Sequence, residues 1–283
     1  MSDRLAEVGH RIATVRQLGA VVNAMRGIAG TRAQQGRARL PAIRAYAETI
    51  AGAIGRARQL DVAPARAETT GPCKPGLIVF GAEQGFAGAF VEQVLDAAAA
   101  DLAGAHVFLV GSRAASLAGE RGRAPDWTVG LPSGAPGLGD MAVAIVEAVY
   151  DYLAETGAAP IGMIYPVWTG GHGVRIVRRS LLPLDIEAIA PVRTALPPLV
   201  NLAPERLIEG LAQEYMFALV CEAAVEAFSA ENEARAATMA SAKTNIDEKL
   251  AALEAEERLT RQEEITAEVV ELAGGALFRR RSH

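Results

Sequence analysis

The chain has 283 residues, of which 51% are hydrophobic and 22% charged, and its formal net charge is −5 at pH 7. This apolar content supplies a folded core and excludes a disordered tail. The acidic balance and the lack of stacking aromatics among the N-terminal arginines argue against a nucleic-acid-binding protein. Cys73 and Cys221 each stand alone, so they match no metal-binding or redox spacing.

The first 60 residues predict a long helix that packs against another helix. Pro41 predicts a kink near Leu40. Gly19, Gly27 and Gly30 each cost about 1 kcal/mol relative to Ala in a free helix, a cost that close approach to a neighbour would offset. The apolar seam recurs at spacings of three or four and consists of Leu5, Val8, Ile12, Val15, Leu18, Val22, Met25 and Ile28.

The N-terminus does not resemble a signal peptide, because charged residues interrupt it throughout. No stretch has the roughly 20 apolar residues needed to span a bilayer. We therefore expect a chain that folds in the cytoplasm and reaches a membrane only through partners.

The middle of the chain predicts an α/β domain. Residues 61–75 are rich in Pro, Thr, Gly and Arg and predict a linker. Strand patterns then alternate with helix patterns, which is typical of a sheet with helices packed on it. A turn at residues 170–173 indicates that the last strand forms a hairpin with the one before it. The predicted strands are Gly76–Phe80, His106–Val110, residues 161–165 and Val174–Leu182, and the predicted helices lie around residues 91–95 and 141–153.

The last part predicts a second long helix, since residues 211–273 contain neither glycine nor proline. A helix of that length would measure about 95 Å at about 1.5 Å per residue, and a compact domain cannot cover it. It carries its own apolar seams, which consist of Ile246, Leu250 and Leu253, and then Ile265, Val269 and Leu272.

Charge supports a pairing of the two ends. Residues 1–60 contain ten Arg and three carboxylates, giving +7, whereas residues 211–273 contain fourteen acidic and five basic residues, giving −9. Opposite charge of this kind guides orientation more than it adds stability. The predicted fold is an antiparallel coiled coil of long N- and C-terminal helices plus a central Rossmann-like α/β domain, with boundaries at 1–60, 76–190 and 205–283.

Several segments have some features of a functional site, but a structural explanation fits each of them better. The glycine-rich loop at residues 81–88 follows a strand, as phosphate-binding loops do, but lacks their glycine spacing and predicts a structural turn. His172 lies at a hairpin tip without a nucleophile or carboxylate pattern around it. Glu254, Glu256 and Glu257 point in different directions on a helix and indicate a solvated face. We therefore predict no catalytic, cofactor or metal site.

Both ends also carry motifs that resemble the gamma subunit of F-type ATP synthases, and the resemblance covers the whole chain. The loop at residues 85–90 resembles that family's Gly-Leu-Cys-Gly loop, with Ala87 in place of the usual cysteine. Asn23 stands where Lys is common and Val91 where Asn is common, so both a principal gamma subunit and a divergent paralogue, such as that of a sodium-type alternative ATPase, fit the sequence. The matching residues are Arg11-Ile12, Val15, Asn23-Ala24-Met25-Arg26 and Ile28-Ala29 near the start, and Arg235, Met239, Ala242, Asn245, Arg261-Gln262, Ile265-Thr266, Glu268, Glu271 and Gly274-Gly275 near the end.

The resemblance implies a central rotor. The coiled coil would stand inside a hexamer of alternating alpha and beta subunits, and the α/β domain would grip the epsilon subunit and the ring of c subunits, at the cytoplasmic face of the bacterial plasma membrane. The beta subunits would make ATP, and this chain would carry no catalytic group. By match to the family, the candidate coupling residues are Arg261, Gln262 and Thr266, which latch a beta conformation, and Met25, Arg26 and Arg235, which form a contact zone lower on the shaft.

Two other classes are the alternatives. A Rossmann-type nucleotide enzyme with helical extensions would bind nucleotide as an isolated chain. A coiled-coil scaffold with an embedded α/β domain would not bring down alpha and beta subunits in threefold excess. The residues fit proton and sodium coupling equally well, and they fit either direction of operation and any means of restraining hydrolysis.

Overall fold

The computed structural model describes residues 2–60, 74–184, 189 and 198–280, with side chains described for residues 4–60, 74–184, 189 and 198–270. Residues 61–73, which make up most of the predicted linker and include Cys73, lie outside these ranges. The described helices are α1 (Ser2–Arg37), α2 (Leu40–Ala57), α3 (Phe90–Ala98), α4 (Ser112–Glu120), α5 (Leu138–Thr156) and α6 (Pro204–Arg280), with short 3-10 turns at Ala135–Gly137 and Gly170–His172. The described strands are β1 (Gly76–Phe80), β2 (His106–Val110), β3 (Trp127–Val129), β4 (Ile161–Trp168) and β5 (Val174–Leu182).

The five strands form one sheet in the order β3-β2-β1-β4-β5. β1 pairs in parallel with β2 and β4, and β2 pairs in parallel with β3. β5 returns antiparallel to β4, as the predicted hairpin requires. The strand order reverses between β1 and β4, and in sheets of this type ligands bind outside the carboxyl ends of the strands at such a point.

The sheet is buried on both faces, which explains the continuous apolar runs of its central strands. On one face Ile78, Phe80 and Phe108 pack with α5 and with α6 residues such as Phe228. On the other face Leu77 and Val79 pack with α3 and α4. The predicted α/β class with long terminal helices is therefore confirmed, and the sequence missed only the short elements α4 and β3.

The chain divides into two compact units, and both long helices contribute to each. The helix-pair unit comprises Met1–Ile28 and Ala237–His283, and the sheet unit comprises Ala29–Ala236. The predicted kink appears as a break, because α1 ends at Arg37 and α2 begins at Leu40 with Pro41 in its first turn. Proline is tolerated there, since its missing N–H has no partner to lose.

In the helix-pair unit α1 and α6 run antiparallel, since residue numbers that rise along α1 fall along α6. Val8, Ile12 and Leu253 form the buried centre of the pair. Arg4 lies 4.0 Å from Glu263 and Arg16 lies 2.7 Å from Glu254, so opposite charges flank this seam as the sequence predicted. Exposed pairs of this kind contribute about 0 to 1 kcal/mol each, so they help set register more than stability.

The predicted seam of α1 was wrong at two positions. Leu18 and Ile28 are 53% and 54% exposed, whereas Gly19 and Ala29 are buried. A Cβ at Gly19 would lie 3.2 Å from Cγ2 of Ile246, so the helices approach closely where the side chain is smallest. Neighbouring residues on a helix point about 100° apart, and the apolar spacing favours the larger residue of each pair, whereas the interface holds the smaller one. Close approach therefore explains Gly19, but a Cβ at Gly27 or Gly30 meets no atom within 4 Å.

The second predicted seam of α6 was also wrong. Ile265 and Val269 are 56% and 59% exposed, while Thr260 is buried. Arg4 lies beside Glu263, and α1 begins only two residues earlier, at Ser2. The described residues of α6 that follow Glu263 therefore have no full turn of α1 opposite them. The side chain of Leu272 lies outside the described set.

Candidate functional site

The loop that follows β1, residues 81–89, is bound directly by α6. Glu231 of α6 is 2% exposed, and its carboxylate accepts the backbone N–H of Glu83 at 3.2 Å and that of Gln84 at 3.1 Å. Hydrogen bonds from backbone amides to an ionised carboxylate are stronger than neutral ones. The helix therefore holds this loop by its main chain, at residues nearly 150 positions away in sequence.

Arg235, one helical turn further on, holds the same loop from its carbonyl side. Its Nη2 donates to the carbonyl of Gln84 and its Nε to that of Gly85, both at 3.2 Å. The guanidinium also forms an ion pair with Glu231, and its Nη1 donates to Oδ1 of Asn232 at 3.2 Å. Arg235 is 6% exposed, so its charge is neutralised inside the protein. We call Glu231 and Arg235, with the main-chain groups of 83–85 that they bind, the loop clamp.

Glu83 ties the clamped loop to the rest of the sheet edge. Its Oε2 accepts the N–H of Ser112 at 3.0 Å and that of Leu131 at 2.8 Å, and its Oε1 accepts the Ser112 hydroxyl at 2.7 Å. Ser112 opens α4 after β2, and Leu131 follows β3. One carboxylate thus joins the carboxyl ends of three parallel strands, and the partial positive charge at the start of α4 favours it.

These contacts decide what the loop can do chemically. At the point where the strand order reverses, a nucleotide phosphate would need free backbone N–H groups. The amides of Glu83 and Gln84 are already bonded to Glu231, and Glu83 brings a negative charge to the same edge. Residues 83 and 84 are therefore held as a structural connection between the end of β1 and α6.

The tip of the loop projects outward. Phe86 is 69% exposed and has a φ of +63°, a left-handed conformation that costs a bulky residue free energy. Contacts elsewhere in the structure must offset this cost, and the loop clamp, which binds residues 83–85 immediately before Phe86, provides such contacts. An exposed aromatic side chain on a fixed loop is suited to contact another protein.

The other predicted coupling residues lie in the helix-pair unit on exposed or half-buried surface. Met25 is half-buried, and the exposed Arg26 donates from Nη2 to Oδ1 of Asn23 at 3.0 Å. Arg261 is exposed and donates from Nη2 to Glu257 Oε1 at 3.0 Å. Gln262 and Thr266 are exposed, lie one turn apart and line one shallow groove on α6.

A second charged cluster joins α2 to α6 and β5. Arg44 binds Glu222 at 2.8 Å and Glu226 at 2.7 Å, and Arg179 binds the other oxygen of Glu222 at 3.0 Å. Burial raises the pKa of Glu226, and the charge of Arg44 opposes that rise. Sequence reasoning predicted the attraction between the two ends of the chain but did not identify these residues.

The chain is similar to known proteins over almost its whole length. A family model described as ATP synthase matches residues 4–277. An ATP synthase gamma chain of Parafrankia sp. is 28% identical over 98% of this chain and 98% of its own length. This chain belongs to the ATP synthase gamma family. Another gamma-family relative, the ATP synthase gamma chain of Kineococcus radiotolerans, is 28% identical over 98% of this chain and 97% of its own length.

Solved structures show the same fold. A chain in the Euglena gracilis mitochondrial ATP synthase, in rotational state 3, matches with a TM-score of 0.66 at 14% identity, covering 97% of this chain and 94% of that one. A chain of the rotor of the same complex in rotational state 1 matches with a TM-score of 0.63 at 12% identity, covering 94% and 100%.

Within this gamma-family chain, two of the three carboxylates considered as a cation site form ion pairs. Glu254 is paired with Arg16 and Glu257 with Arg261, so these carboxylates have cationic partners. His172 is exposed in the turn between β4 and β5. Cys221 is partly buried, and burial raises the pKa of its thiol to about 11.

The sequence missed Glu231 and Glu83. Glu231 lies within the small-residue stretch of α6 between Ala230 and Ala234, both buried. A carboxylate among such residues on an otherwise buried face is a signal for a buried polar contact, because an ionised group is rarely buried without partners.

Proposed function

We propose that this gamma-family chain is the central rotor shaft of an F-type ATP synthase. It couples ion flow through the membrane sector to ATP synthesis or hydrolysis in a hexamer of alpha and beta subunits. The observation that carries the proposal is the family match across residues 4–277, which spans both long helices and the sheet unit. The partners are the alpha and beta subunits, the epsilon subunit and the c-subunit ring.

The helix-pair unit has the construction that torque transfer needs. Two antiparallel helices are joined by the buried cluster of Val8, Ile12 and Leu253, while the outer faces carry many charged and polar residues beside exposed apolar ones such as Leu18 and Ile265. A seam of this kind resists separation of the two helices. No helix in the described part of the chain has the length and apolarity needed to cross a bilayer. We place the chain at the cytoplasmic face of the bacterial plasma membrane, held there by its complex.

We propose that the chain contributes no catalytic group and that ATP forms on the beta subunits. The argument is the loop clamp, in which Glu231 already occupies the amides of Glu83 and Gln84. Purified chain mixed with ATP or ADP should therefore show no binding heat in calorimetry. Tight nucleotide binding would favour the alternative of a Rossmann-type enzyme.

The candidate latch residues are Arg261, Gln262 and Thr266, and Met25 with Arg26 forms the second contact zone. Four of them are exposed and Met25 is half-buried, which leaves each with surface for contact with a neighbouring subunit. Arg235 is buried within this chain, so we assign it an indirect role through the loop that it holds.

The test is the double change Arg261→Ala with Gln262→Ala, assayed in membranes that contain the assembled complex. ATP synthesis and ATP-driven pumping should each fall about tenfold, the effect of losing about 1.4 kcal/mol of interaction. The amount of assembled complex should stay at the wild-type level.

The matched control is Arg206→Ala with Gln213→Ala, since both residues are exposed on the same helix within the sheet unit. Its rates should equal those of the wild type. Equal rates in both double variants would remove the latch assignment. Failure of the wild-type chain to purify with alpha and beta subunits would overturn the proposed function itself.

A further inference from the structure

We propose that Glu231 and Arg235 are positioning residues that make the loop after β1 move with α6 as one piece, so that force applied to the loop reaches the helix. The inference rests on the proposed rotor function and adds to it a defined point of mechanical connection. It concerns the loop clamp and the exposed Phe86, all within the sheet unit.

The clamp binds the loop from both sides of its main chain. Glu231 accepts two consecutive N–H groups, at 3.2 and 3.1 Å, and Arg235 donates to two consecutive carbonyls, both at 3.2 Å. Main-chain contacts constrain the path of the loop whatever its side chains do. Because Glu231 and Arg235 are one turn apart and paired with each other, the loop is fixed to a single turn of α6.

Burial makes this connection stiff. Glu231 and Arg235 are 2% and 6% exposed, so water cannot readily replace the loop groups that they bind. Releasing the loop would leave a buried carboxylate and a buried guanidinium with fewer partners, which is costly in a medium of low dielectric constant. Asn232 adds to the rigidity, because its amide donates to the Phe228 carbonyl at 2.8 Å while its oxygen accepts from Arg235.

The loop is also anchored at its far side, and its tip is exposed. Glu83 joins it to Ser112 and Leu131, so a push on the loop is shared between α6 and the sheet edge. Phe86 projects from it with 69% of its surface exposed. A neighbouring subunit that presses on this tip therefore acts on α6 through a short, fully bonded path.

The test compares Glu231→Gln with the wild type in assembled complex. The amide side chain keeps the size of Glu231 but can accept only through one oxygen and brings its own N–H groups against those of the loop. Hydrogen exchange at 83 and 84 should become about tenfold faster, because bonds to a charged acceptor are lost. Ions pumped per ATP hydrolysed should fall, because part of the force applied to the loop no longer reaches α6.

Arg235→Lys is the second variant, and it tests the loop clamp if the Glu231→Gln chain does not assemble into the complex. Lysine keeps a positive charge beside Glu231 but cannot reach two carbonyls with a planar fork. It should speed exchange in residues 83–88 and lower pumping per ATP by a smaller factor. The control is Asp96→Asn, which breaks the surface ion pair with Arg121 in the same unit and should change neither readout.

Unchanged exchange in both variants would overturn the clamp. Faster exchange with unchanged pumping per ATP would overturn its mechanical role, while leaving the rotor function intact because the wild-type complex still couples. Assembly of the wild-type chain with alpha and beta subunits reports separately on the proposed function.

Discussion

The two units of this chain bury their apolar residues in different ways. In the helix-pair unit each helix has one facing stripe, and the centre of the pair is the small cluster of Val8, Ile12 and Leu253. In the sheet unit two clusters cover opposite faces of a five-stranded sheet, and the loop clamp adds buried polar contacts. Few residues form a two-helix seam, so a single substitution there should lower stability more than one in the sheet unit.

The largest effect is expected from placing charge in that seam. Val8→Asp combined with Val15→Asp should lower the free energy of unfolding of the helix pair by more than about 3 kcal/mol, because apolar burial is lost and a carboxylate is desolvated. Thermal unfolding followed by circular dichroism and the yield of assembled complex measure the change.

Leu18→Asp is the control for this prediction. The sequence pattern put Leu18 in the seam, but the structure leaves it 53% exposed, so its substitution should change stability little. Equal losses in the two variants would mean that the seam follows the sequence pattern after all.

A smaller effect is expected where the two helices approach most closely. Gly19→Leu should destabilise the pair by about 1 to 3 kcal/mol, because the new side chain must displace Ile246. Gly27→Leu should be neutral or stabilise by up to about 1 kcal/mol, since a Cβ there meets no atom within 4 Å and leucine favours helix. Chemical denaturation of both variants gives the comparison, and similar changes at the two glycines would contradict it.

The smallest effect is expected in the sheet unit at high pH. The Tyr46 hydroxyl donates to Glu214, and this hydrogen bond, with burial and the Glu214 charge, raises the pKa of Tyr46 from 10.0 to about 12. The folded state thus favours the neutral phenol more than the unfolded state does. Its contribution to stability is complete below pH 10 and is lost as the pH rises toward 12.

Tyr46→Phe removes this contribution and measures it. Denaturation midpoints of the variant and the wild type should differ below pH 10 and converge near pH 12. The difference should be small, because Tyr46 is 39% exposed and solvent screens the interaction. A constant difference across this range would show that the hydrogen bond does not respond to titration of Tyr46.

Some elements of the two units could be predicted from the sequence and others could not. Residues 76–80, 106–110 and 174–182 were predicted as strands with the bounds that the structure gives. The first two are short apolar runs that end before a glycine, and the third lies between Gly173 and Pro183. β3 has only three residues, and α4 carries one large apolar residue, Leu117, among small and charged ones, so neither shows a clear period. The alignment of the two long helices needed more than spacing, since Leu18 and Gly19 are both compatible with a seam.

The sequence by itself determined the order of elements, the α/β class, the antiparallel pairing of two oppositely charged ends and the resemblance to the gamma family. These follow from local periodicity, charge and motif, which each segment carries alone. Only the tertiary structure decided that Gly19 rather than Leu18 faces Ile246, and that Glu231 and Arg235 hold the loop after β1. Such contacts join residues far apart in the chain, and they depend on how closely two backbones approach, which no single segment specifies.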